Sequence, residues 1–300
     1  MDRLRKQQID AGFERISALR KLEKHRAEFQ DPDFWRRINP DLTISDNPFR
    51  QVASVEVAPA EVDRCSRLLV EEGYMQTRPL VPEARMEPLV RGIRRLVERG
   101  IPSGFLCLYD EYYQIFQGLE PLFAPLLGPR YRWVNDGNWA FYVPPGAAGS
   151  VGFLELNPHR DTLGPDPSVL ERRLPTILSV WIPLNDVSTA ESCIYIVPAD
   201  LDPDYFTTRR DVDRTRFKLQ SVRALPAEAG SVLAWSTHLI HWGGAASPHA
   251  RDARMSVAVY FQRAGLAAYH PSAVDAGDSL PFPVRLRITV RSLAMPGFFG

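Results

Sequence analysis

Three short stretches of this chain hold the residue types from which a metal site is made. In LNPHRDTLG, residues 156–164, one residue separates His159 from Asp161. Successive side chains of an extended strand point to opposite faces, so the imidazole and the carboxylate project together while Arg160 turns away. Two ligands hold a metal weakly, and a third must come from elsewhere in the fold. Of the six histidines, His25 lies in a charged N-terminal segment, His249 in the loop ASPHARDA and His270 in the tail. That leaves His238 and His241, both in GSVLAWSTHLIHWGG, where a Gly-led apolar strand runs into histidine and then Gly-Gly. Two imidazoles and one carboxylate leave half of an octahedral Fe(II) shell open, the facial arrangement of non-haem oxygenases. A 2-oxo acid can chelate there through its keto oxygen and C1 carboxylate and leave one position for O2. Its distal carboxylate then calls for a guanidinium, planar and always charged.

Thirteen residues after His241 the strand RMSVAVYF begins with such a group. Arg254, Ser256, Ala258 and Tyr260 lie on one of its faces, and Met255, Val257, Val259 and Phe261 on the other. The second set is core. An arginine and a serine directed inward on the first face need a polar cavity, and Arg254 fits the co-substrate anchor by charge and by order. Ser256 is a second contact of that face, although a strand serine can also satisfy itself against backbone. An HxD triplet alone arises often by chance; the ordered set of HxD, strand-end histidine and strand-initial arginine is what makes the pattern specific.

These motifs must be positioned by a β-rich half. YRWVNDGNWAFYV, TILSVWIPL, SCIYIV, SVLAWS and RMSVAVYF are short β-branched or aromatic runs separated by Gly, Pro, Asp and Ser, and they read as strands. The N-terminal half reads as helical. Leu4, Ile9, Phe13, Ile16, Leu19 and Leu22 form an apolar stripe over residues 3–29, which packs on its own domain or serves as a homodimer contact or an arm over the site. Residues 31–50, rich in Pro, Asp and Asn, read as an irregular connection where a boundary falls. PAEVDRCSRLLVEEGY and PEARMEPLVRGIRRLVERG carry helical periodicity, and residues 105–127 read as helical too. The expectation is an α+β, mainly β fold, a double-sheet jelly roll with helices packed on one side. Residues 1–50 form a helical extension and residues 51–300 the jelly-roll domain, with the motifs between 131 and 263.

Bulk composition narrows the function class. At 300 residues with 45% hydrophobic content the chain can bury a sizeable core. Lys+Arg and Asp+Glu balance at 36 each, so no global field favours nucleic acid or an anionic membrane. Cys65, Cys107 and Cys193 form no CxxC pair, which suggests reduced, buried thiols and a cytoplasmic protein. No signal-peptide core or membrane-spanning run is evident. The partner expected is a small-molecule substrate.

The runs HRD, LSVWIPLNDVSTAESCIYIVPAD, GSVLAWSTHLIHWGG and ARMSVAVYF together resemble the phytanoyl-CoA hydroxylase-like branch of the Fe(II)/2-oxoglutarate-dependent oxygenases, in order and approximate spacing over residues 131–263. The resemblance implies a double-stranded β-helix, Fe(II), 2-oxoglutarate and O2. It also implies His159, Asp161 and His241 as ligands, with Arg254 as the 2-oxoglutarate anchor; the interval from Gly230 favours His241 over His238, which then stands beside it. NWAFYVPPG occupies the place of a further co-substrate contact, to which Tyr142 or Trp139 corresponds. Asn157 shares the face of His159 and either contacts co-substrate or substrate or satisfies the Pro158 bend, and Trp181, Trp235 and Trp242 either wall the cavity or pack ordinarily. Two departures stand out: Glu191-Ser192 where the family has Asn-Gly, and Ala199-Asp200 where it has Gly-Ser-His after the proline. A carboxylate at Asp161 argues for hydroxylation over halogenation, since related halogenases have a small residue there. The implied reaction is hydroxylation of an unactivated C–H bond of a metabolite or natural-product intermediate, with succinate and CO2 released; no Lys/Arg cluster marks a CoA phosphate site. The same chemistry also permits desaturation, cyclisation or epimerisation, and a non-catalytic jelly-roll binding module is the alternative from another class.

Overall fold

The computed structural model describes residues 26–49, 52–147, 157–161, 165–209, 211–213, 215–268, 273–275 and 278–294. Most of the expected N-terminal helix, His25, His270 and residues 162–164 of the Gly/Pro loop lie outside them. The helices are α1 (Arg26–Phe29), α2 (Pro32–Ile38), α3 (Pro59–Glu71), α4 (Glu83–Glu98), α5 (Asp110–Gln117), α6 (Glu120–Leu127), α7 (Pro167–Leu170) and α8 (Phe282–Ala294), with a 3-10 segment at Ser103–Leu108. In α4, Met86, Leu89, Ile93 and Leu96 recur at helical spacing and are all buried. The α3 helix ends beside Gly73, at φ +79°, where an added Cβ would lie 2.8 Å from the Tyr205 hydroxyl. None of the helices among the described residues is long and apolar enough to cross a membrane.

Two elements differ from the reading of the sequence. The stretch taken as irregular contains α2, whose Asp31 carboxylate accepts from the Asp33 N–H at 2.9 Å, with Pro32 in the first turn. The Pro and Asp residues that suggested a loop are a helix start signal. Trp35, Ile38, Leu42, Ile44 and Phe49 of this stretch are buried in the same core as Phe105, Phe116 and Phe123. At the other end, α8 returns to the helical layer, where Arg285 pairs with Asp110 at 2.8 Å, both side chains fully buried.

The strands are β1 (Tyr74–Pro79), β2 (Arg132–Val143), β3 (Ile177–Pro183), β4 (Ile194–Val197), β5 (Arg223–Leu225), β6 (Ser231–Ser236), β7 (Ile240–Gly243), β8 (Arg254–Gln262) and β9 (Ala273–Asp275). They form a six-stranded antiparallel sheet ordered β1-β6-β3-β8-β2-β9 and a three-stranded one ordered β5-β4-β7. One face of the larger sheet, with Val180, Ile182, Val257, Val259 and Phe261, packs on the helices. The other, with Trp139, Phe141, Trp181, Leu233 and Trp235, joins Ile194 and Ile196 of the smaller sheet in a second core. This second core positions the site.

Register within β2 matters here. Val134 lies opposite Tyr260 and Trp139 opposite Ala258, so five positions of β2 pass against two of β8. A surplus of three is odd, and an odd surplus turns the strand over. Trp133 therefore joins the helix-side core and Trp139 the core between the sheets. The Tyr112 hydroxyl, from α5, fills the gap: it donates to the Ala258 carbonyl at 2.5 Å and accepts from the Trp139 N–H at 3.2 Å.

Candidate metal centre

The free edge of β7 meets the HRD segment through one antiparallel bridge. The His159 N–H donates to the His241 carbonyl at 3.1 Å and the His241 N–H to the His159 carbonyl at 3.0 Å. Residues paired in this way present their side chains on one side of the ladder, and the two imidazole centroids lie 4.4 Å apart. Asp161 brings its carboxylate within 3.6 Å of His159 Nε2 and 3.4 Å of His241 Nε2. One donor atom from each of the three residues lies within 4.8 Å of the others.

The orientation of both rings has a local cause. His159 Nδ1 lies 2.9 Å from the Asn157 carbonyl and His241 Nδ1 lies 3.1 Å from the Leu239 carbonyl, in each case two residues back. A carbonyl only accepts, so Nδ1 carries the proton and Nε2 is left as the coordinating atom. Burial alone would raise the Asp161 carboxyl; the field of His241 and the hydrogen bond and charge of His159 outweigh it and hold the group well below the usual carboxylate range. Three lone-pair atoms turned to one point require positive charge there, from a metal ion or from protons on the imidazoles. Separations near 3.5 Å suit ligands of one ion whose bonds are each roughly 2.1 Å, and the donor set therefore fits the metal implied by the sequence.

The larger sheet braces this carboxylate. Ser179 Oγ on β3 donates to Asp161 Oδ2 at 2.6 Å, and Trp235 Nε1 on β6 reaches the same oxygen at 3.4 Å. Reading the sequence did not single out Ser179; the available signal was one hydroxyl in TILSVWIPL, a strand buried at every position. Ser179→Ala is expected to weaken metal binding about 10-fold, the lower end for removing a group that orients a ligand, measured by Fe(II) titration under argon.

A cavity of about 50 Å³ opens at the cluster, walled among others by Trp139, Phe141, Trp181, Trp235 and Tyr260. Trp139 therefore faces the cavity, whereas Tyr142 lies on the opposite face of β2 against the helix-side core. Asn157 contributes its backbone carbonyl to His159. The His238 ring is engaged elsewhere: Nε2 accepts from the Asp166 N–H at 2.9 Å. Trp242 stacks on Tyr195, with centroids 5.8 Å apart, outside the cavity wall described.

Arg254 is fully buried at the start of β8, on the face it shares with the cavity residues Ala258 and Tyr260. Its guanidinium lies 5.8 Å from the Phe141 ring centre and 5.9 Å from that of Trp181, both of which wall the cavity. Nearby, Ser256 Oγ and Trp181 Nε1 are buried with no hydrogen-bond partner among the described residues. Buried polar atoms are rarely left so, and together with the guanidinium they fit a carboxylate-bearing ligand.

Arg254 Nη1 also donates to the Ser192 carbonyl at 2.8 Å. Ser192 takes φ +67°, the left-handed region that costs a residue with a Cβ about 1 kcal/mol. This is the position where the resemblance has glycine. Here the Ser192 hydroxyl offsets the strain by donating to the Gly244 carbonyl. Ser192→Gly is expected to stay within about 1 kcal/mol of the parent, because strain and hydrogen bond vanish together. Ser192→Ala keeps the strain, loses the bond and should be about 1–2 kcal/mol less stable; denaturant midpoints distinguish the two.

Two histidines and a carboxylate are also the donor set of the facial triad of non-haem Fe(II) oxygenases. Residues 113–253, just under half of the chain, match the family model for phytanoyl-CoA dioxygenase (PhyH). Over this segment the chain resembles phytanoyl-CoA dioxygenases, as the motifs imply; Arg254 directly follows the matched segment. Among solved structures, the non-heme monooxygenase ThoJ is similar with a TM-score of 0.54 at 12% identity, over 76% of this chain and 98% of that one. EvdMO1 is similar with a TM-score of 0.51 at 17% identity, over 68% of this chain and 50% of that one. The epimerase SnoN, solved with Fe3+, alpha ketoglutarate and nogalamycin RO, gives a TM-score of 0.46 at 17% identity, over 72% of this chain and 88% of that one. For ThoJ and EvdMO1 the likeness is one of fold. No curated protein sequence matches the chain.

Proposed function

We propose that His159, Asp161 and His241 hold Fe(II), that Arg254 anchors 2-oxoglutarate, and that the enzyme hydroxylates a C–H bond of a small molecule. The observation that carries this reading is the convergence of the three donor atoms within 4.8 Å, with both Nε2 atoms directed by carbonyls two residues back. When bound, iron with 2-oxoglutarate and O2 supplies the oxidising power, releasing succinate and CO2. The residues do the rest. Arg254 binds the distal carboxylate through paired N–H groups, with Ser256 and Trp181 as further donors; Trp139 and Phe141 exclude water from the chamber. The two facing sheets support a double-stranded β-helix as the scaffold. The walls described carry no Lys or Arg, which supports a neutral or largely apolar substrate over a CoA ester. The same site serves desaturation, ring closure or epimerisation, and the position of the substrate C–H bond selects among them.

Anaerobic titration with Fe(II) and then 2-oxoglutarate tests the reading. A metal-to-ligand absorption band and heat of binding are expected, followed by succinate on admitting O2. Absence of both band and heat would overturn it, and metal binding without succinate from any substrate in a broad panel would favour a non-catalytic binding module.

A further inference from the structure

Arg160 stands between two of the candidate ligands with its side chain turned to the opposite side. There it forms an ion pair with Asp202 at 2.8 Å, each side chain only 2% exposed. Its Nη1 also donates to the carbonyl of His238, in the turn that carries the chain from β6 into β7 and on to His241.

We propose that Arg160 is a positioning residue for the metal centre, its guanidinium tying the segment of His159 and Asp161 to the turn that delivers His241, with Asp202 as the buried counter-ion. The inference rests on the reading of the three residues as a metal site. The anchors on either side are themselves fixed. The His238 N–H donates to Ser236 Oγ at 3.1 Å and its Nε2 accepts from Asp166. The Asp202 carboxylate accepts from the Asp204 N–H at 3.0 Å, and its carbonyl accepts from the Tyr205 N–H at 3.2 Å. Stability does not account for this arrangement. A buried ion pair contributes little net stability, and an apolar pair of similar volume often replaces it without loss. An apolar pair cannot, however, hold the His238 carbonyl, and so loses a side-chain tie that reinforces the backbone bridge between the two ligand-bearing segments. Both contacts run through Nη1; lysine would keep the charge on a flexible stem, without the planar guanidinium that holds this nitrogen between the two acceptors.

The test compares the full-length parent with Arg160→Met/Asp202→Leu and with Arg160→Lys, by metal-free thermal melting, anaerobic Fe(II) titration and the ligand-field spectrum of the Co(II) form. The double variant is expected to melt close to the parent yet bind Fe(II) about 10–100-fold more weakly, as for loss of a group that orients a ligand, with a changed Co(II) spectrum. Arg160→Lys is expected to weaken binding less while still shifting the spectrum. Parental affinity and spectrum in the double variant would overturn the proposal. If that variant does not fold, Arg160→Lys decides by the same two readouts. If the parent itself binds no metal, the reading of the site fails and takes this proposal with it, a result distinct from parent and variants binding alike.

Discussion

Asp161→Ala is expected to leave a folded chain that no longer responds to iron. The carboxylate faces both Nε2 atoms, at 3.6 and 3.4 Å, and without it the site offers two neutral donors. The apo fold loses less. The substitution leaves Ser179 Oγ without its 2.6 Å acceptor, a penalty of about 1–3 kcal/mol, and removes a carboxylate whose burial is offset by the facing imidazoles. Metal at 100 times its Kd stabilises a native state by about 2.7 kcal/mol, worth several degrees of Tm for a chain of this size. The parent should therefore show a clear Fe(II)-dependent rise in Tm under argon, and Asp161→Ala none, together with loss of succinate formation. An undiminished rise in the variant would exclude Asp161 as a ligand.

The second large effect is expected at Arg254. Arg254→Met should raise the Kd for 2-oxoglutarate about 30-fold or more while Fe(II) still binds. Removing one partner of a buried, hydrogen-bonded charge pair costs about 2–5 kcal/mol, and each 1.4 kcal/mol is tenfold. Arg254→Lys should recover part of this, since an ammonium supplies the charge without the planar fork. Calorimetry with the metal-loaded protein separates the outcomes. Equal 2-oxoglutarate affinity in parent and Met variant would show that the guanidinium, which already donates to the Ser192 carbonyl, serves the loop alone. The Ser192 variants then report on that loop.

Much of this chain was legible before folding. Spacing by one residue places His159 and Asp161 on one side whatever the strand pairs with, and alternation along RMSVAVYF separates Met255, Val257, Val259 and Phe261, all fully buried, from the face of Arg254. The helical periodicity of α3 and α4 was equally clear. Local pattern depends on the geometry of a single element, and the sequence carries it directly.

Tertiary structure decided what a single element cannot. Between His238 and His241 the residues alone did not choose; the bridge to His159 turns the latter toward Asp161, while the Asp166 N–H occupies the former. Trp139 rather than Tyr142 faces the cavity because an odd surplus in β2 turns the strand over. Ser179, Trp235 and the Arg160–Asp202 pair reach the centre from segments far apart in the chain. The physical reason is common to all of them. Alternation fixes which side chains share a face, whereas bulges, turns and strand order fix which faces meet, and those depend on packing over the whole molecule.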